Sequence, residues 1–253
     1  MPFRDRYTGL INRYRDHLPV NDDTPIISLG EGNTPLIRLK NIPKLLGKDV
    51  DIYVKYEGLN PTGSFKDRGM TVGVSMARRL GAHTVACAST GNTSASMASY
   101  AAIAGMRALV FIPEGNISMG KLSQALAYGA RTIQLRGNFD DAMRLVERLC
   151  TEDNIYLLNS LNPFRLEGQK AIALEILQDL GWNVPDWIVC PGGNLGNSSA
   201  IFKALRELKE LGLIDRLPKI GVVQAAGANP LYTAFTTDAD DPIPPTPPET
   251  LPF

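Results

Sequence analysis

The sequence predicts an α/β protein with two domains, built on open parallel sheets that carry helices on both faces. Short apolar runs alternate with helix-length segments from residue 84 to residue 224. Parallel strands need long crossover connections, so this alternation favours parallel pairing over hairpins. Polar loops rich in glycine or hydroxyl groups follow two of the apolar runs, and open α/β sheets bind ligands beyond the carboxyl ends of their strands. The pattern therefore predicts both the fold class and the edge at which a ligand would bind.

The predicted elements follow in chain order. A polar helix is expected at residues 7–17, and two short apolar runs within residues 26–39 flank a loop at 30–34. That loop lacks the full glycine and lysine pattern of nucleotide-binding loops and is interpreted as structural. Further strands are predicted at residues 51–57, 84–88, 107–112, 131–135, 155–158, 187–190 and 220–224. Further helices are predicted at residues 95–104, 118–128, 139–149, 166–180 and 198–211.

Composition excludes several classes of function. The chain has 253 residues and a net charge of zero, which argues against nucleic acid or an anionic membrane as the main partner. The cysteines (Cys87, Cys150 and Cys190) are dispersed and odd in number, as expected for reduced thiols in a cytoplasmic protein. Only two histidines, His17 and His83, are present, so no metal site or Ser/His/Asp triad is predicted. No apolar run reaches membrane-spanning length and no signal segment is recognised.

Lys66 is predicted to lie in the first turn of a helix, directly after a tight turn at residues 61–63. Ser64 with Asp67 resembles a capping box, and Gly81 is a natural C-terminal stop. The helix dipole penalises a cation at this position unless the amine is neutral, and a neutral amine is what an imine-forming nucleophile requires. The alternative is an exposed Lys66 paired with Asp67.

Two further loops are candidates for ligand binding. Residues 192–197 join a strand to a helix, and this arrangement suits either a phosphate or an unoccupied glycine turn. A dinucleotide is less favoured, because the next strand ends in Gln224 rather than in an acid. Residues 89–94 could bind a carboxylate, although such a loop can also be only a capped helix start. Together with Lys66, these loops suit an amino-acid enzyme that uses pyridoxal phosphate.

The same segments resemble the threonine synthases, which belong to the second fold type of pyridoxal-phosphate enzymes. The resemblance extends over residues 9–229 and is carried by residues 29–36, 60–70, 88–93, 137–141, 159–165 and 193–197. Cysteine synthases and threonine dehydratases share a lysine and a glycine-rich loop. The stretches at 30–36 and 159–165 are similar to threonine synthases specifically.

The resemblance implies a role for each cofactor-binding residue. Lys66 would hold pyridoxal phosphate as an imine and transfer protons, and Asn92 would bond the ring oxygen of the cofactor. The cofactor phosphate would be bound by the loop residues Gly193, Asn194, Leu195, Gly196 and Asn197.

The resemblance also implies the substrate and the reaction. The enzyme would be a lyase of threonine biosynthesis that converts O-phospho-L-homoserine and water to L-threonine and phosphate. Thr90 and Thr93 would face the substrate near its carboxylate or phosphate. Its phosphate would be held by Ser160, Arg165 and Asn194. Position alone favours a surface arginine at residue 165, whereas a guanidinium suits phosphate chemically.

A large cofactor-binding domain is expected from residues 1–58 and 155–253, with a small domain at 59–154 and a proline-rich tail at 238–253. Family chains continue further and supply a contact to the pyridine nitrogen, so the large domain is expected to be truncated, with exposed sheet edge and core surface. A homodimer is also expected. Two alternatives remain at this stage: a sibling dehydratase or eliminase acting on serine or threonine, and a truncated family member without catalysis.

Overall fold

The computed structural model describes residues 6–113, 119–137, 139–152 and 155–237. The strands are β1 (Leu36–Leu39), β2 (Ile52–Lys55), β3 (Thr84–Ala88), β4 (Arg107–Pro113), β5 (Arg131–Leu135), β6 (Tyr156–Leu157), β7 (Trp187–Pro191) and β8 (Lys219–Val223). The helices are α1 (Leu10–Arg13), α2 (Ile42–Leu46), α3 (Lys66–Arg79), α4 (Asn92–Ile103), α5 (Met119–Ala127), α6 (Phe139–Glu152), α7 (Pro163–Gln169), α8 (Ala171–Asp179), α9 (Gly196–Glu210) and α10 (Pro230–Thr237).

The largest sheet is parallel and has the strand order β5-β4-β3-β6. Side chains alternate along a strand, so Val85 and Cys87 of β3 pack with α3, α4 and α5 on one face. Ala86 and Ala88 pack on the other face, where α6 contributes Val146. A strand covered on both faces can be apolar at every position, and all five residues of β3 are buried. The predicted α/β architecture with helices on both faces is confirmed.

A second core forms around β7 and β8, which also pair in parallel. Ile188 and Cys190 of β7 pack with α1, α8 and α9 in this core. Residues on the opposite face of the same two strands are open to solvent: Trp187 is 56% exposed, Val189 63% and Val223 63%. Among the described residues, this small sheet is therefore covered on one face and exposed on the other.

The loop at residues 30–34 is structural, as predicted. The carboxylate of Glu31 is fully buried and accepts hydrogen bonds from the Leu29 N–H (3.0 Å) and the Tyr100 hydroxyl (2.8 Å). A buried carboxylate is stable only when such donors replace water. The Glu31 carboxylate therefore fixes this loop against α4, which carries Tyr100.

Strands predicted at 84–88 and 131–135 are confirmed residue for residue. The helix predicted at 7–17 is wrong in extent, because α1 has four residues and a separate 3-10 turn follows it. Of the two apolar runs within 26–39, only the second forms a strand, and it pairs antiparallel with β2. The short helices α2 and α10 were not predicted. The proline-rich tail and Asn138 lie outside the described residues.

The helix predicted at 166–180 is two helices, α7 and α8, and it begins earlier than expected. Asn162 caps α7, because its side-chain oxygen accepts from the N–H groups of Phe164 (3.0 Å) and Arg165 (3.3 Å). The two helices meet at Lys170, whose buried ammonium lies 2.7 Å from a carboxylate oxygen of Glu207. None of the helices in the described ranges is long and apolar enough to cross a membrane.

Candidate active site

A cleft of about 370 Å³ lies where β3 and β7 end and where α3, α4, α7 and α9 begin. This volume is typical of a small-molecule site. Of the residues predicted to bind ligands, those that line the cleft are Lys66, Thr90, Thr93, Ser160, Arg165, Gly193, Asn194, Leu195, Gly196 and Asn197. Asn92 is the first residue of α4 and is not among the lining residues. The fold thus brings together four segments that are distant in sequence.

Lys66 begins α3, and its backbone N–H donates to the side-chain oxygen of Ser64 (3.3 Å). The predicted capping box is wrong, because Phe65 rather than Ser64 is the N-cap of α3 and the side chain of Asp67 does not bond back to the Ser64 N–H. The carboxylate of Asp67 accepts from the backbone N–H (2.7 Å) and hydroxyl (2.5 Å) of Thr62 and from the Ser96 hydroxyl (2.5 Å). The tight turn before α3 brings Thr62 within reach of the short Asp side chain. Asp67 is therefore buried in other contacts, and the exposed Lys66–Asp67 pair does not form.

The amine of Lys66 lies in an environment that favours its neutral form. Burial lowers its pKa from 10.5 to about 8, and the charge of Arg165 adds to this effect. Its nitrogen lies 4.1 Å from the centre of the Phe65 ring. An amine with this pKa is partly neutral near physiological pH and can act as a nucleophile or a base.

The guanidinium of Arg165 is buried, and among the described residues it makes one hydrogen bond, from Nη1 to the carbonyl oxygen of Leu158 (3.0 Å). Within the same ranges its Nε has no hydrogen-bond partner and no carboxylate pairs with it. Burial lowers its pKa to about 10. The reading of Arg165 as a surface residue is wrong, because the helix that carries it packs closely on α3. A buried, unpaired guanidinium at a cleft is a binding group for an anion.

The glycine-rich loop leads directly into α9. A Cβ atom at Gly192 would lie 2.3 Å from a methyl group of Val222, so this position has room only for glycine. Leu195 adopts a φ of 60°, a left-handed conformation that turns the chain into the helix starting at Gly196. Backbone N–H groups at a helix start lack intrahelical partners, and such groups attract anions. The side-chain oxygen of Asn197 is buried at this helix start and has no hydrogen-bond partner among the described residues.

Asn194 connects this loop with the residues before α7, because its side-chain nitrogen donates to the Ser160 hydroxyl (3.4 Å). Asn159, which sequence reasoning missed, holds Ser160 in place. Its amide bonds the N–H (2.9 Å) and the carbonyl (3.0 Å) of Ala88 and so continues the hydrogen bonding of β3. The Asn159 contacts therefore place Ser160 at the end of the strand.

The loop before α4 contributes hydroxyl groups to the cleft. The hydroxyl of Ser89 accepts from the N–H of Gly91 (3.1 Å), and Ser94 donates to the Gly91 carbonyl (2.7 Å). These bonds hold the loop in shape while Thr90 and Thr93 line the cleft.

Gln169 was also missed by sequence reasoning. It is only 3% exposed and lines the cleft one helical turn after Arg165. The spacing of four residues from Arg165 was the available signal, because residues four apart share a helix face.

Comparison with known proteins identifies the relatives of the chain. The family model described as pyridoxal-phosphate dependent enzyme matches residues 27–252. A threonine synthase of Methanocaldococcus jannaschii is 56% identical over 239 residues, which cover 94% of this chain and 59% of that protein. A threonine synthase of Synechocystis sp. is 55% identical over 225 residues, which cover 89% of this chain and 59% of that protein. The chain thus spans 59% of the length of both relatives.

Among solved structures, that of maize serine racemase matches with a TM-score of 0.75 and 21% identity, over 94% of this chain and 68% of that one. At this level of identity the match supports the fold alone.

Proposed function

The chain belongs to the family of pyridoxal-phosphate-dependent enzymes, and on that premise we propose that it is a threonine synthase. The reaction would be the conversion of O-phospho-L-homoserine and water to L-threonine and phosphate. The observation that carries the proposal is the position of the unpaired guanidinium of Arg165 at the cleft that holds the low-pKa amine of Lys66. A phosphorylated amino acid would supply the anion that this guanidinium lacks.

The residues present fit the cofactor. Lys66 offers an amine with a pKa of about 8 for covalent attachment of the cofactor aldehyde. The α9 start offers N–H groups to its phosphate through the loop residues Gly193, Asn194, Leu195, Gly196 and Asn197. Asn92, at the edge of the cleft, would bond the ring oxygen. The bound cofactor would supply an electron sink for carbanion chemistry at the substrate.

Arg165, Ser160 and Asn194 would hold the substrate phosphate. Asn194 and Ser160 are already joined by a hydrogen bond of 3.4 Å, and all three residues line the cleft. The guanidinium would pair with the phosphate in the substrate and continue to neutralise it as it leaves. Thr90 and Thr93 would bind the other end of the substrate through their hydroxyl groups.

Lys66 would move the protons. Its pKa of about 8 lets the amine accept a proton near neutral pH and return it without a large free-energy cost at either step. The burial that lowers this pKa also limits the access of water to the amine.

The proposal extends to location and assembly. The three cysteines are free thiols, which supports a cytoplasmic protein. We propose a large domain from residues 1–58 and 155–253 and a small domain at 59–154. The core around β7 and β8 comes mostly from residues 10–18 and 171–214, and the core between β3 and α4 mostly from residues 70–130. Val72 and Met76 of α3 join the first of these cores, and Leu158 joins the second. The zero net charge supports a small molecule, rather than nucleic acid or a membrane, as the partner. The homodimer rests on the family resemblance, and sedimentation velocity of the purified chain tests it.

The cofactor is tested by the visible absorbance of the 253-residue chain after incubation with pyridoxal phosphate. A band is expected in the wild type and should be lost in Lys66→Ala; its absence from folded wild-type protein would contradict the proposal.

The substrate is tested by measuring phosphate release from O-phospho-L-homoserine and ammonia release from serine and threonine. Release of phosphate alone supports the proposal, whereas ammonia release would identify a dehydratase. Cofactor binding without either product would identify a non-catalytic family member.

A further inference from the structure

We propose that Gln169 is a further ligand-binding residue of the cleft, and that its carboxamide donates a hydrogen bond to the same phosphate group that Arg165 binds. The inference rests on the proposed function, because it takes that phosphate to be part of the substrate. Its structural basis is independent of the cofactor.

The first argument is the unsatisfied amide. Gln169 is 3% exposed, lines the cleft, and makes no side-chain hydrogen bond within the ranges that the structure describes. A primary amide has two donor hydrogens and an acceptor oxygen. The amide atoms of Gln169 are not among the fully buried atoms without a partner, so they are open to the cleft, where a ligand can replace water as their partner.

The second argument is the position of Gln169 relative to Arg165. The two residues are four apart on α7, so their side chains lie on the same helix face. A Cβ atom at Gly69 of α3 would lie 2.9 Å from the Arg165 carbonyl oxygen and 3.1 Å from Nε2 of Gln169. Gly69 lies one helical turn after Lys66, and its lack of a side chain leaves room for the Gln169 amide.

The third argument is the charge of the cleft. Lys66 and Arg165 are its ionisable lining residues, and no acidic side chain of the described residues lines it. A phosphate carries more acceptor oxygens than one guanidinium can satisfy. A glutamine adds donors without cancelling the positive charge, whereas a glutamate at the same position would cancel part of it. The neutral amide is therefore suited to an anionic ligand.

The test is a calorimetric titration of inorganic phosphate into the full 253-residue chain, with and without bound pyridoxal phosphate. With the cofactor bound, its own phosphate site is filled, so the titration reports the remaining anion site. The variants are Gln169→Leu, which removes the hydrogen bond, and Gln169→Glu, which keeps the shape and adds a negative charge. The control is Gln178→Leu on α8, since Gln178 bonds the Tyr14 hydroxyl (2.7 Å) outside the cleft.

We expect Gln169→Leu to raise the phosphate Kd by about 5–30-fold and Gln169→Glu to raise it further. Gln178→Leu should leave the Kd within about twofold of the wild type, since it lies outside the site. Without phosphate, Gln169→Leu should leave the melting temperature within about 2 °C of the wild type, because the amide has no hydrogen bond to a described residue that the substitution would remove. A purely structural glutamine would give a clear loss of melting temperature instead.

An unchanged phosphate Kd in Gln169→Leu would overturn the inference, as would a wild-type chain that binds no phosphate in either state. The visible band and the release of phosphate from O-phospho-L-homoserine report the proposed function separately. If both are present while the Kd is unchanged, only the role of Gln169 fails. If the band is absent, the proposed function fails, and titration of the cofactor-free chain still decides the role of Gln169.

Discussion

The two buried arginines, Arg68 and Arg165, lie on helices that touch, yet their surroundings differ. Arg68 is fully buried and bonded to two carboxylates: its Nε lies 2.6 Å from Glu57, and its Nη1 and Nη2 each lie 2.7 Å from Glu175. Arg165 is 1% exposed, but among the described residues its guanidinium bonds only the carbonyl oxygen of Leu158. Equal burial of the same residue type therefore occurs with and without charge compensation.

The difference appears in the pKa values. Burial lowers the pKa of Arg68, but its hydrogen bonds with Glu175 and Glu57 outweigh this effect and raise the pKa overall. Burial lowers the pKa of Arg165 to about 10, because no carboxylate of the described residues pairs with it to offset the cost of burial. A compensated buried charge joins elements of the fold, whereas an uncompensated one is available to a ligand. The two arginines are equally buried, so the difference between them lies in their hydrogen-bond partners.

The largest effect is expected from Arg68→Met. Removing the guanidinium leaves Glu57 and Glu175 without their main partner, which should lower the free energy of unfolding by about 3–5 kcal/mol. Urea denaturation measures the loss. Adding Glu57→Gln and Glu175→Gln to the variant should recover part of it. A loss below about 1 kcal/mol would show that the pairing contributes little.

The next effect is expected from Gly168→Ala, which disturbs the helix contact between the two arginines. A Cβ atom at Gly168 would lie 1.9 Å from the backbone carbonyl oxygen of Arg68, so α7 and α3 must separate. Such overpacking should lower the free energy of unfolding by about 1–3 kcal/mol.

The control for the helix contact is Gly193→Ala, because nothing lies within 4 Å of a Cβ atom at that position. Its free energy of unfolding should stay within about 0.5 kcal/mol of the wild type. Equal losses in the two glycine variants would mean that the helix contact is not the cause.

The pH dependence of stability should distinguish the cleft that holds Lys66 from the ion pairs of Arg68. Lys66 has a folded-state pKa of about 8, below its usual value of 10.5. Below pH 8 both states are protonated and the full cost of burying the cation is present. From pH 8 to 10.5 the unfolded chain binds more protons at Lys66, so the contribution of Lys66 to stability should rise by about 1–2 kcal/mol. The buried thiols and phenols act in the opposite direction over this range, because burial raises the pKa of groups such as Cys87 and Cys150. The Lys66 contribution is therefore measured as the difference between the wild type and Lys66→Met in urea denaturation across the range.

The acidic side should depend on Glu175. Burial raises its pKa, but the hydrogen bonds and charge of Arg68 outweigh this effect and lower the pKa below its usual value of 4.5. Its contribution to stability is therefore present above pH 4.5 and is lost as pH falls through the lower, folded-state pKa. Glu175→Gln should flatten this acid limb and leave the alkaline rise from Lys66 unchanged. An unchanged acid limb in Glu175→Gln, or a changed contribution from Lys66 at alkaline pH, would contradict this assignment.

Of the two arginine variants, Arg165→Met is expected to have the smaller effect on stability. The variant loses one hydrogen bond to Leu158 but also removes an uncompensated charge, so the free energy of unfolding should stay within about 1 kcal/mol of the wild type. Phosphate affinity, measured by calorimetry, should fall by about 100-fold, since a charged hydrogen-bonding partner is lost. A destabilisation comparable to that of Arg68→Met would erase the contrast between the two residues.

Several features could be predicted because they depend on short-range patterns. The strands at 84–88 and 131–135 follow from apolar runs between turn residues, and the sequence places Lys66 at a helix start after a tight turn. The lowered pKa of Lys66 was expected from the helix dipole, but its causes are burial and the charge of Arg165, which depend on tertiary contacts. The loops at 89–94 and 192–197 were likewise recognised from their composition and position.

By itself, the sequence determined the order of elements, the α/β class and the loops that could carry a ligand, because these depend on residues within a few turns of one another. The tertiary structure alone decided which charges are compensated. Arg68 meets Glu175 across 107 positions of the chain, and Arg165 meets no carboxylate in the described ranges. Burial and charge pairing depend on such distant contacts, so no local pattern could separate the arginine that stabilises the fold from the one left open to a ligand.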